Sequence, residues 1–240
     1  MSSNPNRENI FRFRQFAVCN RECAMKVSTD SVLLGSWVSV KGVSSAIDLG
    51  AGCGILSLML CQRGVGRVTA VEIDAPAAVE AIGNIALSPW AGAVEIIVGD
   101  ATACRLQQTD LVITNPPFFD SELISPDAAR AMARHQGKMN FGWILSAAPS
   151  LLSPGGRLAL VSPAESVPEI EWLCSLNRMA VVRRCAVHTS PRRRPKRILW
   201  EIAKNCDFSS RPKEESIYIR NNSNELTDEY VSLTSDFYIK

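Results

Sequence analysis

Asn115-Pro116-Pro117-Phe118 closes an apolar run, Asp110 to Thr114, with an amide, two imide bonds and a flat ring. The Asn115 side-chain carbonyl and the Pro116 backbone carbonyl are two acceptors at a fixed spacing, because paired prolines restrict φ and stiffen the turn. Aimed at the hydrogens of an exocyclic amine, two such acceptors favour its pyramidal, more nucleophilic form and hold it in line with an electrophile. No strong base is required, since the proton can leave after transfer. Phe118 offers a face on which a base can stack, worth roughly 1–3 kcal/mol. Taken alone, a Pro-Pro pair can equally well just end a strand, so the other strand ends carry weight.

The earlier of these is Asp48-Leu-Gly50-Ala-Gly52-Cys-Gly54, which follows Ala46-Ile47 and precedes the helix-like Ile55 to Arg63. Glycines permit a sharp strand-to-helix turn and close backbone approach to a ligand, and the helix start offers free N–H groups. A dinucleotide fingerprint G-x-G-x-x-G would need glycine at 55, where Ile55 stands. The spacing is D-x-G-x-G-x-G instead. A second strand, Arg67 to Asp74, carries Glu72, 22 residues after Gly50, where an acid accepts from ribose hydroxyls. A third, Val94 to Asp100, ends in Asp100, which either accepts from an adenine amino group or caps the next turn.

These ends require a sheet to position them. Four buried strands, each followed by a helical or polar stretch, predict an α/β doubly wound fold. Ala75 to Leu87 reads as a helix with Pro76 in its first turn. Phe141 to Leu152 and Glu165 to Asn177 read as further helices, with Arg157 to Ser162 a fifth strand between them. Met179 to Val187 and Ile198 to Lys204 read as an antiparallel pair. Upstream, Ile10 to Phe16 alternates as a short strand or arm, and Thr29 or Asp30 is placed to cap a helix through Val32-Leu33-Leu34. The expected division is an N-terminal arm and capping helix over 1–40 and a main domain over 41–240. Asp120 to Asn140, with Arg130, Arg134 and His135, is a polar stretch of the kind that closes over substrate.

At 240 residues and 46% apolar, the chain can bury a full core, and its formal charge of +2 says little. The distribution says more: between Arg183 and Lys213 there are ten Lys/Arg against Glu201 and Asp207. Within that stretch, Pro191-Arg-Arg-Arg-Pro-Lys-Arg197 is an extended basic tip, and Arg192, Arg193, Arg194, Lys196 and Arg197 are placed to contact phosphates. The eight cysteines include no C-x-x-C pair and there are only two histidines, so no metal site is expected. No charged-then-apolar leader and no membrane-length run is present, so a reducing cytoplasm and no membrane partner are expected.

Together, D-L-G-A-G-C-G and N-P-P-F resemble the class I S-adenosylmethionine-dependent amino-methyltransferases, whose targets are adenine N6, guanine N2 or glutamine amides. Arg14-Gln-Phe16, Cys23-Ala-Met-Lys-Val-Ser-Thr-Asp30, Leu33-Leu-Gly-Ser-Trp37, Asn84 with Ser88-Pro-Trp90, and Phe237-Tyr238 narrow this. They resemble the bacterial tRNA adenine-N6 methyltransferases that modify adenine 37 of a valine tRNA, from about Phe11 to the C-terminus. The resemblance implies a Rossmann-like class I methyltransferase with a mostly parallel seven-stranded sheet and an antiparallel C-terminal strand pair. It implies S-adenosyl-L-methionine as cofactor, with Lys26, Thr29 and Asp30 at its methionine end, Asp48, Gly50 and Gly52 in the loop, Glu72 on ribose and Asp100 near adenine. Asn115, also beside the cofactor, would hold the target base with Pro116, Pro117 and Phe118. The anticodon stem-loop of a tRNA would be the partner of a monomeric enzyme. N-P-P-F-F stands where N-P-P-Y-Y is common in that family, and guanine-N2 enzymes also carry N-P-P-F, so a guanine-N2 or protein-glutamine target stays open. So does a non-catalytic RNA-binding protein.

Overall fold

The computed structural model describes residues 10–23, 25–117, 139–204 and 211–239. The alternating N-terminal stretch forms a hairpin of β1 (Ile10–Arg12) and β2 (Ala17–Cys19). Helix α1 (Thr29–Trp37) follows, and its cap is Ser28, one residue ahead of the expected Thr29 or Asp30. The Ser28 side chain accepts from Ser31 N at 3.3 Å. Thr29 and Asp30 fall inside the first turn, where the Asp30 carboxylate favours the positive end of the helix dipole.

Then β3 (Ser45–Leu49), α2 (Ile55–Gln62), β4 (Arg67–Glu72), α3 (Ala75–Ala86), β5 (Val94–Val98) and β6 (Thr109–Thr114) alternate. Helix α3 is capped by Asp74, whose side chain accepts from Ala77 N, with Pro76 in the first turn. Beyond lie α4 (Phe141–Leu151), β7 (Leu152–Pro163), α5 (Val167–Leu176), β8 (Met179–His188), β9 (Arg197–Lys204), β10 (Lys213–Tyr218) and α6 (Asp228–Thr234). The large sheet has the order β10-β8-β9-β7-β6-β3-β4-β5. All its pairings are parallel except those of β9, which slots antiparallel between β7 and β8.

The seven expected strands and the antiparallel pair are therefore present, and β10 extends the sheet by an eighth. Its sequence, Lys-Glu-Glu-Ser-Ile-Tyr, carries no apolar run to announce it. Besides the backbone ladder, charge across the strands holds it, Arg184 with Glu214 at 2.7 Å and Arg183 with Glu215 at 2.9 Å, together with Ile217 buried in the core and Tyr218 stacked on His188.

Side chains of β6 alternate between two cores, as the pleat dictates. Leu111 and Ile113 pack with Leu33, Leu34, Leu56 and Leu60 of α1 and α2. Val112 packs on the opposite face with Ile47, Ile144, Leu145 and Ile170. A third cluster joins Phe13 and Phe16 to Val32, Leu58, Met59 and Phe237, so both ends of the described chain share one core. Arg14 N donates to Phe237 O at 2.8 Å. No helix of the described residues is long and apolar enough to cross a membrane.

From β3 the chain winds outward through β4 and β5, then returns to lay β6 on the other side of β3. That reversal leaves a crevice at the carboxyl ends of β3 and β6, where ligands of doubly wound sheets bind.

Candidate active site at the β3–β6 switch point

The crevice is walled by the two stretches that carry the chemistry. After β3, Gly50, Gly52 and Gly54 have φ of 71°, 54° and 82°, the left-handed region that disfavours side chains. The N–H groups of Gly50 and Ala51 both donate to Val71 O, at 2.9 and 3.1 Å, folding the loop against β4. A Cβ on Gly50 would lie 3.0 Å from Met139 Cε.

Gly54 is the N-cap of α2 and has no side chain with which to cap it. Asp48 does so from the preceding strand: its Oδ2 accepts from Ser57 N at 3.1 Å and from Ser57 Oγ at 2.7 Å. This carboxyl is fully buried, and burial pushes its pKa up to about 7 despite the Ser57 hydrogen bonds. Asp48 thus holds the loop from behind rather than facing the cavity.

Glu72 ends β4 on the cavity wall. Its Oε2 accepts from Gly52 N at 2.7 Å and its Oε1 from Asp74 N at 2.8 Å. Each oxygen keeps a lone pair for a further donor. On the other side, Thr114 Oγ1 donates to Leu49 O at 2.7 Å, pinning the ends of β6 and β3 together. The next residue, Asn115, is 6% exposed; its Nδ2 donates to Ser31 Oγ at 2.8 Å. Its Oδ1 is buried with no hydrogen-bond partner among the described residues.

Gly50, Gly52, Glu72, Asn115 and Pro117 line one cavity of about 450 Å³, whose remaining wall includes Cys23, Met25, Ile73, Pro76, Ala77 and Met139. A few polar atoms converge on a largely apolar concavity, the character of a nucleoside-sized site. Cys23 offers no thiolate there: a hydrogen bond with Cys53, together with burial, raises its pKa.

The other expected site residues fall around this centre. Pro116, between Asn115 and Pro117, is buried. Lys26 and Ser31 border a small cleft beside Gly50 and Asn115, but Lys26 Nζ donates to the Asn20 and Arg21 carbonyls, both at 2.9 Å. Thr29 is exposed at the start of α1, and Asp30 pairs with Arg197 Nε at 2.9 Å. Asp100 does not line the cavity; its Oδ1 accepts from Thr102 N at 2.9 Å, closing a turn. Arg192, Arg193, Arg194 and Lys196 are exposed on the loop joining β8 to β9. β8 is parallel to the central strands, so this basic tip projects from the same sheet edge as the cavity. Phe118, Arg130, Arg134 and His135 lie outside the described residues. Among the described residues no group of His, Cys, Asp and Glu is arranged to hold a metal ion.

Sequence reasoning misses Ser31 and Met139 as site residues. Ser31 is separated from Asn115 by 84 positions, and no local pattern joins them. Asn84 stands out in the sequence only through a resemblance. It proves to be a stitch, its amide meeting Cys19 N, Cys19 O and Cys53 O at 2.8–2.9 Å and tying the N-terminal hairpin to the glycine loop.

A reversed doubly wound sheet with a glycine cradle and an Asn-Pro-Pro turn at its switch point is the architecture of a class I methyltransferase. Residues 23–170 match the family described as methyltransferase small domain. Solved structures agree in fold. A protein of Agrobacterium tumefaciens described as a predicted O-methyltransferase superposes with a TM-score of 0.67 at 22% identity, covering 87% of this chain and 96% of that one. The ribosomal protein L11 methylase of Lactobacillus delbrueckii does so at 0.56 and 16%, covering 82% and 100%. Among sequences, a tRNA1(Val) (adenine(37)-N6)-methyltransferase of Tolumonas auensis is 38% identical over 96% of this chain and 97% of its own. Its counterparts in Porphyromonas gingivalis and Bacteroides fragilis are 37% and 35% identical, each over 96% of this chain. The chain belongs to the family of the tRNA1(Val) (adenine(37)-N6)-methyltransferases.

Proposed function

We propose that this enzyme transfers a methyl group from S-adenosylmethionine to the N6 amine of adenine 37, beside the anticodon of a valine tRNA. The observation that carries the reading is the Asn115 Oδ1: a buried acceptor, unclaimed among the described residues, beside a cavity that a nucleoside would fill.

The residues present fit the cofactor. Gly50 and Gly52 have left-handed dihedrals that disfavour side chains, and a Cβ there would crowd Met139 Cε at 3.0 Å and Cys23 Sγ at 3.3 Å. The Glu72 oxygens accept ribose hydroxyls, and Ile73, Pro76 and Ala77 offer apolar surface to an adenine. The cofactor supplies an electrophilic methyl group on a sulfonium. Asn115 Oδ1 and the Pro116 carbonyl accept the two N6 hydrogens, favouring a lone pair directed at that methyl, and Phe118 stacks on the base. An anticodon loop suits this site, because extruding a base costs least from a single strand. Arg192, Arg193, Arg194 and Lys196 hold the phosphates, with Arg197 at the base of the tip. The reading implies a cytoplasmic enzyme acting where tRNA matures.

The test is methyl transfer by the purified enzyme to an anticodon stem-loop, with nucleoside analysis of the product. N6-methyladenine is expected. N2-methylguanine would move the target to guanine, and methylation of protein alone would remove RNA from the reading. Asn115→Ala should lower transfer by about 100-fold or more while cofactor affinity stays within about threefold. Equal loss of both would sink this division of labour.

A further inference from the structure

We propose that Ser31 is the positioning residue that decides which end of the Asn115 amide meets the substrate. The inference rests on the methyltransferase reading above.

An asparagine amide is nearly symmetric in shape, but one end donates and the other accepts. For an amine substrate only the oxygen end is productive. A flip would set N–H against N–H and remove one of the two acceptors. Backbone geometry alone does not choose between the orientations, since χ2 of asparagine is broad and roughly two-fold. A buried partner must choose, and the described partner of the amide is Ser31, itself only 7% exposed.

A hydroxyl can donate or accept, so its own proton decides what it asks of Asn115. An acceptor for that proton is within reach: Ser28 Oγ lies 3.4 Å from Ser31 Oγ, a pair in which either hydroxyl can donate. With Ser31 as the donor of that pair, the relay runs from Asn115 Nδ2 to Ser31 Oγ and on to Ser28 Oγ, the cap of α1. With the hydroxyl proton directed at Ser28, Ser31 presents lone pairs to Asn115 and selects its NH₂ end. The Oδ1 end is then left as a buried acceptor without a partner among the described residues, a state that native proteins keep for a reason.

The relay is held rigidly. Val32, Leu33 and Leu34, the residues after Ser31, are fully buried. Asp30, the residue before it, is tied to Arg197 at the base of the basic tip. Ser31 therefore sits on a fixed first turn and transmits that fixity to the reacting end of the amide.

Single-turnover methylation of an anticodon stem-loop by the full-length enzyme tests this. Ser31→Ala should lower the rate by about tenfold or more, with cofactor Kd changed less than about twofold. Threonine and valine match in shape and differ in the hydroxyl, so Ser31→Thr should retain at least about fivefold more activity than Ser31→Val. A carboxylate has an oxygen at either end, so N115D has no orientation to lose. Within the N115D background, adding Ser31→Ala should cost less than about threefold further. Equal activities of the Thr and Val variants, or the same loss from Ser31→Ala in both backgrounds, would overturn the proposal. Should N115D transfer too slowly to measure, the Thr–Val comparison decides alone. If the wild-type enzyme methylates no adenine, the functional reading fails instead; if it does and the Ser31 variants match it, only this inference fails.

Discussion

At the scale of single residues, the glycine cradle is where geometry constrains sequence most tightly. Gly50 combines a φ of 71° with Met139 Cε 3.0 Å from where a Cβ would stand. An alanine there costs about 1–2 kcal/mol in backbone energy alone, before Met139 is displaced. Gly50→Ala should therefore lower the melting temperature by roughly 2–8 °C in a chain of this size and weaken cofactor binding by more than tenfold. Calorimetric melting and cofactor titration check the two effects separately, and unchanged affinity would show that the loop does not approach the ligand. Residues of this kind are legible in sequence because their types follow from local requirements. Glycine answers a left-handed turn, Glu72 a strand end, and Asn115-Pro116 an amine target. Ser31 is not legible, since a serine in a first helical turn has the same appearance whether it caps, faces water or orients an amide 84 positions away. Asp48 reads in sequence as part of the loop, but the absence of a side chain at the Gly54 cap is what gives this carboxyl its place behind α2.

At the scale of elements, the β8–β9 connection separates two kinds of arginine that the sequence presents as one run. Arg192, Arg193 and Arg194 are exposed, whereas Arg197 is half-buried against Asp30. Removing one cation from a phosphate should reduce the slope of log affinity against log salt by about 0.7–0.9. Replacing Arg192, Arg193 and Arg194 by Ala is thus expected to weaken stem-loop binding and to flatten its salt dependence by up to about two to three units. An unchanged slope, measured by binding across a salt series, would remove the tip from the RNA footprint. Arg197→Ala should instead act mainly on stability and on the placement of α1. The strands themselves are legible wherever burial on both faces makes them continuous apolar runs, as in β3, β4 and β6. β10 is not, because an edge strand joined by Arg–Glu pairs has the composition of a loop. The α1 cap falls one residue from its expected place, since Ser28, Thr29 and Asp30 are all good caps and only the tertiary seat of the helix selects among them.

At the scale of the whole molecule, the buried Asp48 carboxyl sets a pH dependence that opposes the usual one. Glu80, Asp110 and Glu215 all have lowered pKa values. For Asp110 the leading cause is the Ser44 hydroxyl; for Glu80 and Glu215 burial raises the value, and hydrogen bonds from the N-terminal backbone or from Lys213, Trp37 and Arg183 outweigh it. Groups of that sign stabilise the fold above about pH 4.5 and lose their contribution as the solution is acidified. Asp48 is shifted the other way, from an ordinary 3.8 up to about 7. Between those values the unfolded chain has released this proton and the folded chain still holds it. The Asp48 contribution to folding stability therefore falls as pH rises from about 4 to about 7, at up to roughly 1.4 kcal/mol per unit, and levels off above. Asp48→Asn keeps an oxygen for the Ser57 donors and removes the titration. The difference in unfolding free energy between this variant and the wild type, followed by denaturant melts across pH 4 to 8, isolates Asp48 and its coupling to Glu72, because groups that do not interact with Asp48 cancel. The difference should grow in favour of the variant with rising pH and become flat beyond about 7. Parallel profiles would mean that water or a rearranged Ser57 solvates the carboxylate, and that the support beneath the cofactor loop is ionised at the pH where the enzyme works.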